Sequence, residues 1–113
     1  MKPSFKDEKA VWEYIRPRFR GRWFRVEAVT PEGMFDSWGL FGQSQIWMEL
    51  KVGKPTINAL RPSQHSFLIE LVRHGQQGWT CFGYRGEVLF FEGLDFDTPF
   101  QTPPFYRPST ARG

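Results

Sequence analysis

Two carboxylates and an ammonium stand out near the middle of the chain: Asp36, followed by Glu49 and Lys51 within the run QIWMELK at 45–51. Two hard oxygen donors suit a Mg²⁺ ion. An ammonium beside them can orient a water or hydroxide and stabilise charge building on a phosphate. The run alternates as a strand does, with Ile46, Met48, Leu50 and Val52 on one face and Trp47, Glu49 and Lys51 on the other. A strand that buries its first face has no packing reason to place Glu and Lys beside an aromatic on its second. Surface solubility is the plainer explanation. The upstream Asp36, a hairpin's length away, favours chemistry, because neighbouring strands would bring the two carboxylates together.

The elements that would position these groups read as follows. Residues 5–20 form a helix, capped by Ser4 with Asp7 three positions on, and Val11, Ile15 and Phe19 recur at helical spacing until Pro17 kinks or stops it. Residues 23–29 alternate as a strand. The turn Thr30-Pro31-Glu32-Gly33 leads into a short strand holding Asp36, and Gly39, Gly42, Gln43 and Ser44 connect it to the QIWMELK strand. Trp38 and Phe41 fall in that glycine-containing connection, where they either plug the core or stack on bases. A second helix starts at Arg61-Pro62-Ser63-Gln64, with Pro at a favoured first position, and ends at Gly75. Residues 79–84 and 87–91 are strands joined by the hairpin signal Arg85-Gly86. The order is α-β-β-β-α-β-β, an α/β fold in which the second helix joins parallel strands of a mixed sheet. One domain spans 1–93, and the proline-rich stretch 94–113 forms an irregular C-terminal arm.

Composition narrows the function classes. At 113 residues and 40% hydrophobic content the chain makes one domain with a modest core. The single cysteine, Cys81, rules out an internal disulfide and suits a reducing cytoplasm. Two histidines without a cysteine cluster argue against structural zinc. Neither a signal peptide nor a membrane span is expected. The net charge of +3 is mild, but Arg16, Arg18, Arg20, Arg22 and Arg25 crowd into ten residues. That run is either a solvated basic face or a surface for bidentate phosphate contacts, and a nearby metal site favours the second. With twelve Phe and five Trp, the chain carries more aromatics than its elements are expected to hide. The surplus points to an apolar patch and a homodimer.

The D-x(n)-E-x-K arrangement resembles the active site of the PD-(D/E)xK nucleases, and the element order is similar to their restriction-endonuclease-like core. The likeness is closer to compact phage-type members of the virus-type replication-repair nucleases (VRR-NUC), related to Holliday junction resolvases. Their pattern starts with a glutamate on the first helix, here Glu8, followed by an R-x-E strand, here Arg25-Val26-Glu27. A G-x-P-D turn follows, here Gly33-Met34-Phe35-Asp36, with Phe35 in place of the proline. Then come an ELK strand, here Glu49-Leu50-Lys51, and an L-x-P-x-Q helix start, here Leu60-Arg61-Pro62-Ser63-Gln64.

The resemblance implies that Asp36, Glu49 and the Leu50 carbonyl ligate Mg²⁺ or Mn²⁺, and that Lys51 acts on the attacking water or the phosphorane. Glu8 would reach the metal through a water, and Gln64 would hydrogen-bond a metal water or a carboxylate. Plainer roles exist for each: an edge-protecting Lys51, a helix-dipole Glu8, an ordinary helix-start Gln64, an ion-paired Glu27. The function implied is a metal-dependent endonuclease on branched or duplex DNA, in phage or mobile-element replication and repair. The alternatives are a non-catalytic DNA-binding module of the same fold and a protein-interaction domain.

Overall fold

Asp7 starts the first helix, α1 (Glu8–Ile15), by accepting a hydrogen bond from the Ala10 N–H at 2.9 Å. This moves the start from the expected Ser4, since an aspartate side chain there satisfies a donor that the helix cannot. Pro17 tightens the chain into a 3-10 turn over Arg16–Arg18, so the helix ends well short of residue 20. The computed structural model describes residues 2–26 and 33–107. Expectations for Glu27, for the end of the first strand and for the turn at 30–32 lie outside the described residues.

Five strands form one sheet in sequence order: β1 (Arg22–Arg25), β2 (Ser37–Phe41), β3 (Ser44–Val52), β4 (Gln77–Tyr84) and β5 (Glu87–Glu92). All neighbours are antiparallel except β3 and β4, which run parallel because α2 (Pro62–Arg73) carries the chain across between them. The β2–β3 turn is only Gly42-Gln43, with Phe41 paired to Ser44. Trp38 and Phe41 therefore sit in β2 rather than in a loop. Trp38 lies between Phe24 and Trp47, at ring-centroid distances of 5.2 and 6.3 Å. At the β4–β5 hairpin both Arg85 and Gly86 take positive φ (52° and 77°), the geometry that matches the twist of the flanking strands.

Helices cover both sheet faces. Ile46, Met48, Leu50, Trp79, Cys81 and Phe90 pack with Val11 and Ile15 of α1. Phe35, Leu60, Leu68 and Leu71 form a second cluster with Trp47 and Phe67 on the α2 side. The face of Trp47, Glu49 and Lys51 is consequently not a solvent face. Residues 94–107 are irregular yet packed: Phe100 exchanges backbone hydrogen bonds with Phe90 at 2.9 and 2.7 Å, and Phe105 and Tyr106 are buried against Phe19 and Phe90. The aromatic surplus is spent inside the molecule. Among the described residues the exposed large apolar side chains are Leu40, Val52, Val72, Leu94 and Phe100, a set with a single aromatic.

Candidate functional site

Asp36 and Glu49 meet because of the β2–β3 register. The paired stretch ends at Ser37 opposite Met48, and one step beyond it Asp36 falls opposite Glu49. Three contacts fix Asp36 there. Its carbonyl accepts from the Val26 N–H at 2.8 Å, the neighbouring Ser37 hydroxyl donates to the Met48 carbonyl, and Phe35 is buried against Phe67 at 5.1 Å. Phe35 thus anchors the turn from inside the core. Gly33, with φ of 90°, brings that turn onto the start of α2: a Cβ there would lie 2.5 Å from the Ser63 carbonyl oxygen.

Glu8, from the first turn of α1, completes a cluster in which one carboxylate oxygen from each of Glu8, Asp36 and Glu49 lies within 4.8 Å of the others. Glu49 is 3% exposed. Its Oε2 accepts from Gln64 Nε2 at 2.9 Å and faces Lys51 Nζ at 3.7 Å. Gln64 in turn accepts from the Arg61 N–H through Oε1 at 3.0 Å, so a helix-capping contact fixes which end of the amide faces the carboxylate. The other oxygen of Glu49, Oε1, and Asp36 Oδ1 are buried and have no partner among the described residues.

Burial, with Asp36 and Glu8 close by, pushes the Glu49 carboxyl up to about 7, against the opposing pull of Lys51. Burial also raises Asp36, and Arg25 opposes that shift. Negative charges gathered in a poorly solvated place, with bare oxygens turned inward, are a frustrated arrangement for a protein alone. A divalent cation would relieve it. The donor set, carboxylates without thiol or imidazole, suits a hard ion such as Mg²⁺ or Mn²⁺. Leu50 buries its side chain on the α1 face, and its carbonyl lies on β3 between Glu49 and Lys51.

The arginine run is divided by the fold. Arg25 reaches the cluster, 4.0 Å from Asp36 Oδ2 and over the Trp12 ring at 5.3 Å. Arg18 is tied to Tyr14, donating to its carbonyl at 2.7 Å and stacking on its ring at 3.9 Å. Arg16, Arg20 and Arg22 are exposed and make no ion pair among the described residues. Arg61, overlooked in the sequence, is a further cation acting on Asp36. Its place just before the helix-starting Pro62 was the available signal.

No protein-family model matches this chain, and no curated protein matches it in sequence. Solved structures do. The chain is similar to Hjc, a Holliday junction resolvase from the archaeal hyperthermophile Archaeoglobus fulgidus, with a TM-score of 0.56 and 19% identity over 75% of this chain and 72% of that one. Identity at that level carries the fold. The architecture is the restriction-endonuclease-like α/β fold, a mixed five-stranded sheet with two helices.

Proposed function

We propose that the protein is a divalent-metal-dependent endonuclease of the PD-(D/E)xK type, selective for branched DNA. The observation that carries this reading is the convergence of Glu8, Asp36 and Glu49, two of them with bare buried oxygens, beside the Lys51 ammonium. The fold shared with a Holliday junction resolvase adds to it. Asp36 and Glu49, with the Leu50 carbonyl, would hold Mg²⁺ or Mn²⁺, and Glu8 would contact it through water. When bound, such an ion supplies Lewis acidity and positive charge at the phosphate.

The chain's own groups do the rest. Lys51, whose side chain is 14% exposed, holds its ammonium where it can orient a water for in-line attack at phosphorus and offset charge on the phosphate oxygens. Gln64 holds the Glu49 carboxylate in place by donating from Nε2 to its Oε2. Arg25 and Arg61 flank the cluster and suit the phosphates on either side of the scissile bond, while Arg16, Arg20 and Arg22 offer exposed phosphate contacts farther along the strand.

The finer assignment, a compact phage-type member of the VRR-NUC group working in replication or repair in a bacterial or infected-host cytoplasm, rests on the motif order from Glu8 to Gln64. A homodimer belongs to the same reading, because a four-way junction requires two cuts and the described residues of one chain hold one such cluster. Light scattering over a dilution series tests it: a particle of twice 13.3 kDa is expected, and a monomer that still cleaves would overturn the two-site picture. The function itself is tested by incubating labelled four-way, flap, nicked and plain duplex DNA with the protein in Mg²⁺, Mn²⁺ or EDTA.

A further inference from the structure

Thr80 is fully buried in β4, and its hydroxyl has no hydrogen-bond partner among the described residues. In the parallel β3–β4 register it pairs with Glu49, so the two side chains rise side by side from the same sheet face. Its flanking residues, Trp79 and Cys81, belong to the core on the opposite face. A buried hydroxyl left unsatisfied is costly. A valine of nearly the same shape would fill this apolar strand without that cost, and β-branching is equally served by either residue. The neighbouring Glu49 Oε1 is likewise buried and bare, whereas its Oε2 already takes Gln64 and Lys51. Two orphaned groups of complementary kind, one donor and one acceptor, therefore occupy paired positions on adjacent strands.

We infer that Thr80 is a positioning residue for Glu49: in the cation-loaded protein its hydroxyl would donate to Oε1, directly after rotation about χ1 or through one buried water, and so hold the carboxylate in place. A carboxylate oxygen has two lone pairs, so Oε1 can take a hydroxyl and a cation together. Gln64 on Oε2 and Thr80 on Oε1 then clamp the ligand from both sides. This inference rests on the proposed metal site, and it adds a residue from a strand that supplies none of the carboxylates.

The test is Mn²⁺ affinity, measured by titration calorimetry without DNA, in wild type, Thr80→Val, Thr80→Ser and Glu49→Gln, with melting temperatures taken in EDTA. Outer-shell partners of metal ligands are worth about 10- to 100-fold in affinity. Thr80→Val is expected to weaken Mn²⁺ binding on that scale while melting at or above the wild-type temperature in EDTA, and Thr80→Ser to restore wild-type affinity. Wild-type affinity in Thr80→Val would overturn the inference and leave the metal site standing. Wild type binding Mn²⁺ no better than Glu49→Gln would remove the metal site itself, and the role of Thr80 with it. Should Thr80→Val not fold, Thr80→Ala against Thr80→Ser supplies the same contrast, and equal affinities there would refute the clamp.

Discussion

Replacing Glu49 with Gln should make the metal-free protein more stable at pH 8, which is the reverse of what most buried substitutions do. The folded protein holds the Glu49 carboxyl at about 7, against an ordinary value of 4.5. A group whose pKa is raised by folding contributes stability that is fully present below the unfolded value and lost as pH climbs through the folded one. For Glu49 that window runs from about pH 4.5 to about 7. At about 1.4 kcal/mol per pH unit, the loss has a ceiling of about 3 kcal/mol. Glutamine holds the site neutral at every pH. Its carbonyl oxygen can accept from Gln64 Nε2, and its amide can donate to Asp36 in place of the like-charge contact. The pull of Lys51 is already contained in that value of about 7, and an amide that seats less well than the neutral carboxyl reduces the gain to about 1–2 kcal/mol at pH 8, or about 4–8 °C in melting temperature for a domain of this size.

The assay is thermal or urea unfolding in EDTA at pH 5 and pH 8, repeated at pH 8 with excess Mg²⁺ or Mn²⁺. At pH 5, near the foot of that window, the variant should be no more stable than wild type. At pH 8 without metal the variant should be the more stable. With the ion at about a hundred times its Kd, wild type should gain about 2.7 kcal/mol and overtake a variant that gains far less. A variant equally destabilised at both pH values, or metal stabilising both proteins alike, would refute the reasoning.

Three further outcomes are expected. Lys51→Ala should lower cleavage by about 10²-fold, the scale for one positioned transition-state donor, with Mn²⁺ affinity by calorimetry kept or improved; a loss traced wholly to weaker metal binding would count against its role. Replacing the exposed Arg16, Arg20 and Arg22 with Ala should flatten the salt dependence of duplex binding by about 0.9 in log–log slope for each phosphate contact removed, and an unchanged slope would place them away from DNA. Phe105→Ala should cost about 3–5 kcal/mol in urea unfolding, because its buried ring packs against Phe19, Trp79 and Phe90; a loss near zero would mean that this stretch is not part of the core.

Local pattern carried much of the fold. Alternation in 45–51, the Pro-led start of α2 and the Arg85-Gly86 turn each correspond to an element, since each depends on residues adjacent in sequence. What pattern could not give was the second covered face. A strand with Glu49 and Lys51 on alternate positions reads as half-exposed, whereas in the fold Glu49 is buried, with Gln64 of α2 on its Oε2 and Asp36 and Glu8 beside it. The same limit applies to the aromatics. Trp38 and Phe41 look like loop residues because Gly39 interrupts them, yet the Trp38 ring is held by Phe24 and Trp47 on the neighbouring strands and Phe41 packs against the α1-side core cluster. Of the candidate site, the meeting of Asp36 with Glu49 follows from one hairpin register and was legible. The arginine run was not, because tertiary packing turns Arg18 onto Tyr14 and Arg25 onto Asp36. Thr80 surfaces only when two strands are brought together in space, whereas Arg61 stands in the sequence just before the helix-starting Pro62.

Whether Glu8, Asp36 and Glu49 gather a metal for phosphodiester hydrolysis is answered by cleavage of a labelled four-way junction in Mg²⁺, in Mn²⁺ and in EDTA, with Asp36→Asn alongside. Cleavage by wild type in either ion, none in EDTA and none by an Asp36→Asn protein that still binds the junction is the expected result. Cleavage that persists in EDTA or in Asp36→Asn, or a junction bound tightly by wild type and never cut in either ion, would contradict the account.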